Sequence, residues 1–152
     1  MDYFIMARHG HDDGVNLDYD GICQIDQLVA AIRTYAGEAV EDFRILTSPK
    51  VRAKQSAERI AKALNIDTPQ EYEELFTDTD GKVYEIVGKH REAGGLIVVT
   101  HKEVANSFPS FFHLQEYTTR LELPIVYQGE ALACHQGQWT QLPSGKVISE
   151  TG

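Results

Sequence analysis

The stretch GGLIVVTHKE, residues 94–103, decides the fold class of this chain. Two glycines precede five apolar or β-branched residues, Leu96 to Thr100. A run that short and that continuously apolar reads as a buried strand. It ends at Thr100. THKE then predicts a helix start, a capping box with Thr100 as N-cap and Glu103 three residues later.

The same alternation extends in both directions. Val83, Ile86, Val87 and His90 recur at helical spacing before the strand. Residues 66–81 are less regular, with Pro69 and Gly81 as punctuation. FRILT, residues 43–47, is a second short strand. Ser48-Pro49 follows as an N-cap with proline at the first helical position. The helix it opens shows Ala57, Ile60, Ala61 and Leu64 on one face. Asp2 to Ala7 reads as a strand running into Arg8. VNLDYDG, residues 15–21, is polar and turn-like. Ile25, Leu28, Val29, Ile32 and Tyr35 then mark a helix that Gly37 stops. After Thr100 the helix should be short or kinked, because Pro109 removes a donor and clashes one turn back. From Leu123 onward the chain reads as strands joined at Gln128-Gly129 and, more weakly, at Gln136-Gly137. Strands alternating with helices predict an α/β sandwich with a mainly parallel sheet.

Length and charge bound the function. A chain of 152 residues suits one domain, residues 1–152. With 42% hydrophobic and 24% charged residues, the composition is that of an ordinary globular protein. No apolar run approaches the roughly 20 residues that span a bilayer, so no membrane association is expected. No basic segment leads into an apolar run at the N-terminus, and the default expectation is a cytoplasmic protein. Cys23 and Cys134 are too few for a disulfide scaffold and are expected to pack. Fourteen Lys and Arg against 23 Asp and Glu give a net charge of −9, which argues against nucleic-acid binding. An acidic surface also repels anions at long range, so any anion site needs local cations. Nothing in the sequence sets the oligomeric state.

In a parallel sheet, sites form beyond the carboxyl ends of the strands. Three such ends stand out: Ala7 followed by Arg8, His9 and Gly10; Thr47 followed by Ser48 and Arg52; and Thr100 followed by His101 and Lys102. Two arginines and two histidines at one sheet edge suit a dianionic phosphoryl group. Arginine offers a planar fork of donors and stays charged. Two helix N-termini at the same edge favour an anion. A histidine nitrogen can act as the nucleophile, and a second histidine can stabilise charge on the phosphoryl oxygens.

These pieces resemble a known family. RHG after the first strand, SPKVRAKQSA after the second and VVTH ending a later one are similar to the histidine phosphatase superfamily, also called phosphoglycerate mutase-like. GICQIDQL adds the Gly21 and Gln24 that open the first helix there. The resemblance runs from about Tyr3 to His101, and the C-terminal strands are compatible with it. It implies a three-layer α/β/α fold, phosphoglycerate mutase-like, and His9 as the phosphorylated nucleophile. Arg8, Arg52 and His101 complete the phosphate pocket, and Gly10 allows close backbone approach. No cofactor and no metal are implied. Ser48 and Asn16 are further candidates for binding phosphate or substrate, Asn16 as an approximate counterpart of the family's asparagine after RHG. Lys102 stands where the family commonly has glycine; it either adds charge at the pocket rim or is a solvated side chain.

YEELFTDTDG, residues 72–81, lies where larger members carry a general acid. Glu74 and Asp78 are the candidates there, though neither spacing matches, and having no dedicated acid is the alternative. A phosphohistidine or aryl phosphate needs such an acid less than an alkyl phosphate does. The chain also lacks long insertions that would build a lid. The expected function is therefore that of a short phosphatase, similar to the small phosphohistidine phosphatases, acting on a phosphorylated small molecule or a phosphoprotein. Alternatives are a catalytically weak module that binds phosphate or phosphoprotein, and a mutase-type phosphotransferase. A metal hydrolase built on His9, His11, Asp12 and Asp13 has less support, because the last three are adjacent and belong to the loop leaving the site. His90, His113 and His135 carry no motif.

Overall fold

The computed structural model describes residues 1–148. Its strands are β1 (Tyr3–Arg8), β2 (Phe43–Thr47), β3 (Gln70–Glu71), β4 (Gly95–Thr100), β5 (Ala131–His135) and β6 (Gln138–Leu142). Its α-helices are α1 (Tyr19–Ala36), α2 (Val51–Leu64), α3 (Asp80–Gly88) and α4 (Lys102–Tyr117). The strands form one sheet in the order β3-β2-β4-β1-β5-β6. β3, β2, β4 and β1 run parallel, while β5 and β6 are antiparallel additions at one side.

The buried run of residues 95–100 is the middle of this sheet, as its composition predicts. Every residue of β4 is buried, with β2 on one side and β1 on the other. Successive side chains point to opposite faces. Ile97 and Val99 join Ile5 and Ala7 under α1 and α2, whereas Leu96 and Val98 join Phe4 and Met6 under α3 and α4. These are the three α/β/α layers. Gly95 has a packing reason: a Cβ there would lie 2.4 Å from the ring of Phe43, its register partner on β2.

Several local expectations are corrected. α2 begins at Val51 with Lys50 as its N-cap residue, so Ser48-Pro49 is not the cap. Ser48 is wholly buried, and its hydroxyl serves a tertiary contact described below. The capping box at THKE does not form. Thr100 ends β4 with its hydroxyl donating to the Leu75 carbonyl, and His101 occupies the N-cap position. α4 is not short: it runs 16 residues through Pro109. An interior proline costs about 3 kcal/mol. Packing offsets it, since Phe108 and Phe112 bury against Phe4 at ring-centroid distances of 5.8 and 4.3 Å. Residues 121–127 are irregular, not a strand. The hairpin turn is instead Gln136-Gly137, joining β5 to β6, with φ of 53° and 81°. Two left-handed residues match the twist that a two-residue hairpin needs. Among the described residues, no helix is long and apolar enough to cross a membrane.

Phe4 links the central sheet to Phe108, Phe112 and Trp139 and is 2% exposed. Phe4→Ala is expected to destabilise the protein by about 3–5 kcal/mol. Urea unfolding measures this, and a loss under about 1 kcal/mol would mean that this face of the core is not well packed.

Candidate active site

Register brings the site together. Arg8 pairs with Thr100 and Thr47 with Val99, so β1, β2 and β4 end at the same level. The next residues extend the ladder. His9 N donates to Thr100 O at 3.1 Å, and Ser48 N donates to Val99 O at 3.1 Å. α1 packs on one face and α4 on the other, so the chain leaves β1 and its neighbour β4 toward opposite faces. That divergence opens a crevice at the carboxyl ends of the two strands.

The crevice is a pocket of about 340 Å³, lined by Arg8, His9, Arg52 and His101 together with Lys102. The His9 and His101 rings are 5.0 Å apart and both are buried. His9 Nδ1 bonds the Gly10 carbonyl at 2.8 Å, and Arg52 Nε donates to His9 Nε2 at 3.4 Å. A carbonyl only accepts, so the proton sits on Nδ1 and the lone pair on Nε2 faces Arg52. Burial, and then the Arg52 charge, push the His9 pKa below its ordinary value. His101 is pushed down to about 3, first by burial, then by His9, Arg52, Lys50 and Arg8. Ser48 Oγ bonds its Nε2 at 2.8 Å, and Phe76 stands edge-on to its ring at 4.9 Å. Arg8 donates from Nη1 to Val126 O at 3.4 Å. Its Nε is buried and, among the described residues, has no hydrogen-bond partner.

Not every candidate reaches the pocket. Ser48 acts through His101 and does not line it. Asn16 is exposed and accepts from Gln55 Nε2, away from the pocket. Gly10 lies behind His9, its amide donating to Ser56 Oγ. A Cβ on Gly10 would meet Gly21 O at 2.8 Å, and one on Gly21 would meet His11 O at 2.1 Å. The two glycines therefore let α1 press against the loop, and Gln24 Oε1 holds the His11 amide at 2.8 Å. Glu74 and Asp78 are outside the pocket. Asp78 Oδ1 accepts from the Thr79 amide, and their segment meets the site through Phe76.

Other residues reach the pocket that the sequence assigns elsewhere or leaves unmarked. Glu103, freed from the capping box, is on the wall, as are Gln128 and Gly14. Asp12 is there too, its Oδ2 3.6 Å from His9 Nδ1, so it does not leave the site with His11 and Asp13. His11 pairs with Asp18, and Asp13 Oδ1 accepts from the amides of Val15 and Asn16. The loop's polar groups are thus spent on its own turn rather than on a common point. Gln128 arrives because Gly129 N donates to the carbonyls of Arg8 and His9, a long-range contact that Gln-Gly in sequence does not reveal.

No protein-family model and no curated protein sequence matches the chain. Solved structures do match it in fold. The protein histidine phosphatase SixA, solved with tungstate, aligns over 91% of this chain and 93% of its own at 21% identity, with a TM-score of 0.67. The α-ribazole phosphatase from Shigella flexneri aligns over 91% and 93% at 14% identity, TM-score 0.63. A mycobacterial glucosyl-3-phosphoglycerate phosphatase aligns over 88% and 89% at 13% identity, TM-score 0.63. The fold of the chain is therefore the one shared by histidine phosphatase structures, in agreement with the motif resemblance.

Burial of neutral histidines couples stability to pH. The unfolded chain binds a proton at an ordinary histidine pKa near 6.5, whereas folded His101 stays neutral to about 3. The unfolded state thus holds more protons across that window, and stability falls as pH drops through it. Urea denaturation between pH 7.5 and 4 is expected to show a shallower loss for His101→Asn than for the wild-type protein. Equal slopes would mean that the His101 proton is not withheld.

Proposed function

We propose that the protein is a phosphatase that needs no metal and works through a phosphohistidine on His9. The observation that carries this reading is the convergence of Arg8, His9, Arg52 and His101 on one pocket, with the buried Arg8 Nε left without an acceptor among the described residues. A buried donor without a partner is costly, and a phosphoryl oxygen would satisfy it. Arg52 supplies a second guanidinium, and both helix starts add favourable dipoles. Tungstate in the SixA structure is a tetrahedral oxyanion, which fits the same reading.

The chemistry follows from the tautomer. The Nε2 lone pair attacks phosphorus, and the N–P bond forms as the bond to the leaving group breaks. The leaving group departs with that electron pair and takes a proton. Water then attacks phosphorus, the N–P pair returns to Nε2, and inorganic phosphate is released. Lys102 and Glu103 are exposed on the pocket wall, so water has access to the intermediate. That favours hydrolysis over transfer of the phosphoryl group to a second substrate molecule. The substrates proposed are phosphorylated small molecules or phosphoproteins, and the proposed location is the cytoplasm.

Glu74 and Asp78 lie outside the pocket, so neither serves the leaving group in this reading. Two carboxyls line the pocket, and with Asp12 held against His9 Nδ1, Glu103 is the one that replaces them as proton donor for poor leaving groups.

Hydrolysis of an aryl phosphate in the presence of EDTA tests the main reading. His9→Ala is expected to fall to the background rate, and the trapped wild-type intermediate to be acid-labile and base-stable. Full activity in His9→Ala would overturn the nucleophile assignment. Glu103→Gln is expected to slow hydrolysis of an alkyl phosphate by about 10²-fold while leaving an aryl phosphate much less affected. Equal effects on both would remove Glu103 from the role of acid.

A further inference from the structure

We propose that Asp12 is a positioning residue that balances the charge of His9: its carboxylate stabilises the positive ring formed when Nε2 bonds phosphorus. This rests on His9 being the nucleophile. Attack leaves a proton on Nδ1 and phosphorus on Nε2, so a neutral ring becomes a cation. The groups facing that ring are Arg8 from β1, Arg52 from α2, and His101 at the head of α4, with Lys102 and Glu103 further along the wall. Arg8 and Arg52 place positive charge close to the ring, and Lys102 adds more along the wall. Asp12 Oδ2, 3.6 Å from Nδ1, is the carboxylate in contact with it.

The side chain is held for this task. Asp12 Oδ1 accepts from Gly14 N at 2.8 Å, and Oδ2 accepts from Gln128 Nε2 at 3.4 Å. It is 14% exposed and the His9 side chain 6%, so solvent screens the pair weakly. The Asp12 charge also raises the His9 pKa, against the burial and arginine effects that lower it. A carboxylate beside a phosphate pocket has a second consequence of opposite sign. It repels the dianion that binds in the ground state while it attracts the cation that forms on the ring.

Asp12→Asn separates the two effects, because asparagine keeps the Oδ1 acceptor for Gly14 N and removes the charge, at the expense of the 3.4 Å contact from Gln128 Nε2, which the Gln128 amide regains by turning its oxygen toward the new NH2. Rapid quench with an aryl phosphate, together with inhibition by inorganic phosphate, supplies the readouts. The variant is expected to phosphorylate His9 roughly threefold to tenfold more slowly. Its phosphoenzyme should turn over faster, because the cationic ring is less stabilised. Inorganic phosphate should inhibit it at lower concentration, because a repelling charge is gone. The acid limb of kcat/KM should move to lower pH, since His9 must be neutral to attack and its pKa falls when the carboxylate charge is removed. Asp12→Glu should restore the limb in part. Unchanged phosphorylation and phosphoenzyme lifetime would overturn the inference. So would a joint fall of every rate together with weaker phosphate inhibition, which marks a merely structural role. If the wild-type protein forms no phosphoenzyme and His9→Ala keeps full activity, the nucleophile reading falls, and the inference with it.

Discussion

The register of three parallel strands governs this molecule. β1, β4 and β2 are locked in pairing that sets Arg8 beside Thr100 and Thr47 beside Val99. A one-residue slip of β1 would turn Ile5 and Ala7 away from α1 and α2, exchanging the two core faces. The core therefore fixes the register, and the register fixes which residues emerge together at the sheet edge. His9, Ser48 and His101 each follow a strand end directly. Their convergence is a consequence of burying Leu96 to Val99 on both faces, and loop geometry plays little part in it.

What was legible in sequence follows the same division. Continuous apolar runs define strands through their own burial, so FRILT and GLIVVT are readable without a partner. The motif residues Arg8, His9, Arg52 and His101 are readable because each sits at a fixed offset from such a run. Roles that depend on a distant partner are not. Ser-Pro has the composition of a helix start, but Ser48 bonds a ring 53 residues away. Thr100 and Glu103 have the spacing of a capping box, but the hydroxyl is claimed by Leu75. Glu74 and Asp78 have suitable chemistry, yet the short 3-10 turn of residues 73–75 buries Leu75 and delivers Phe76, not a carboxyl, to His101. In sequence Asp12 groups with His11 and Asp13, because adjacent side chains rarely converge. The turn that Gly14 closes points Asp12 back to His9, while Asp13 is occupied by the amides of Val15 and Asn16.

The glycines show how packing against α1 shapes the surroundings of His9, the proposed nucleophile. Gly10 and Gly21 touch through backbone atoms, so the first turn of α1 lies directly on the loop behind His9. The Gln24 side chain then caps the His11 amide. This leaves the loop little freedom, and it orients the Gly10 carbonyl that holds Nδ1. A side chain at either glycine would displace the carbonyl that sets the His9 tautomer.

Concentrating cations in one buried pocket ought to be unfavourable, and the histidines resolve the difficulty. Two guanidinium groups repel one another, and two charged imidazoles among them would compound the cost. Burial depresses both histidines, so at neutral pH the pocket holds neutral rings between the arginines. The same neutrality is what leaves a lone pair on His9 Nε2. Desolvation that costs stability in acid is therefore the condition for the nucleophilic role proposed for His9 at neutral pH, and a ring moved to the surface would lose both. The negative surface of the chain, at −9 overall, does not contradict an anion site of this kind. Long-range repulsion is screened within about 10 Å, whereas a bound oxyanion would meet the arginine donors at hydrogen-bond distance.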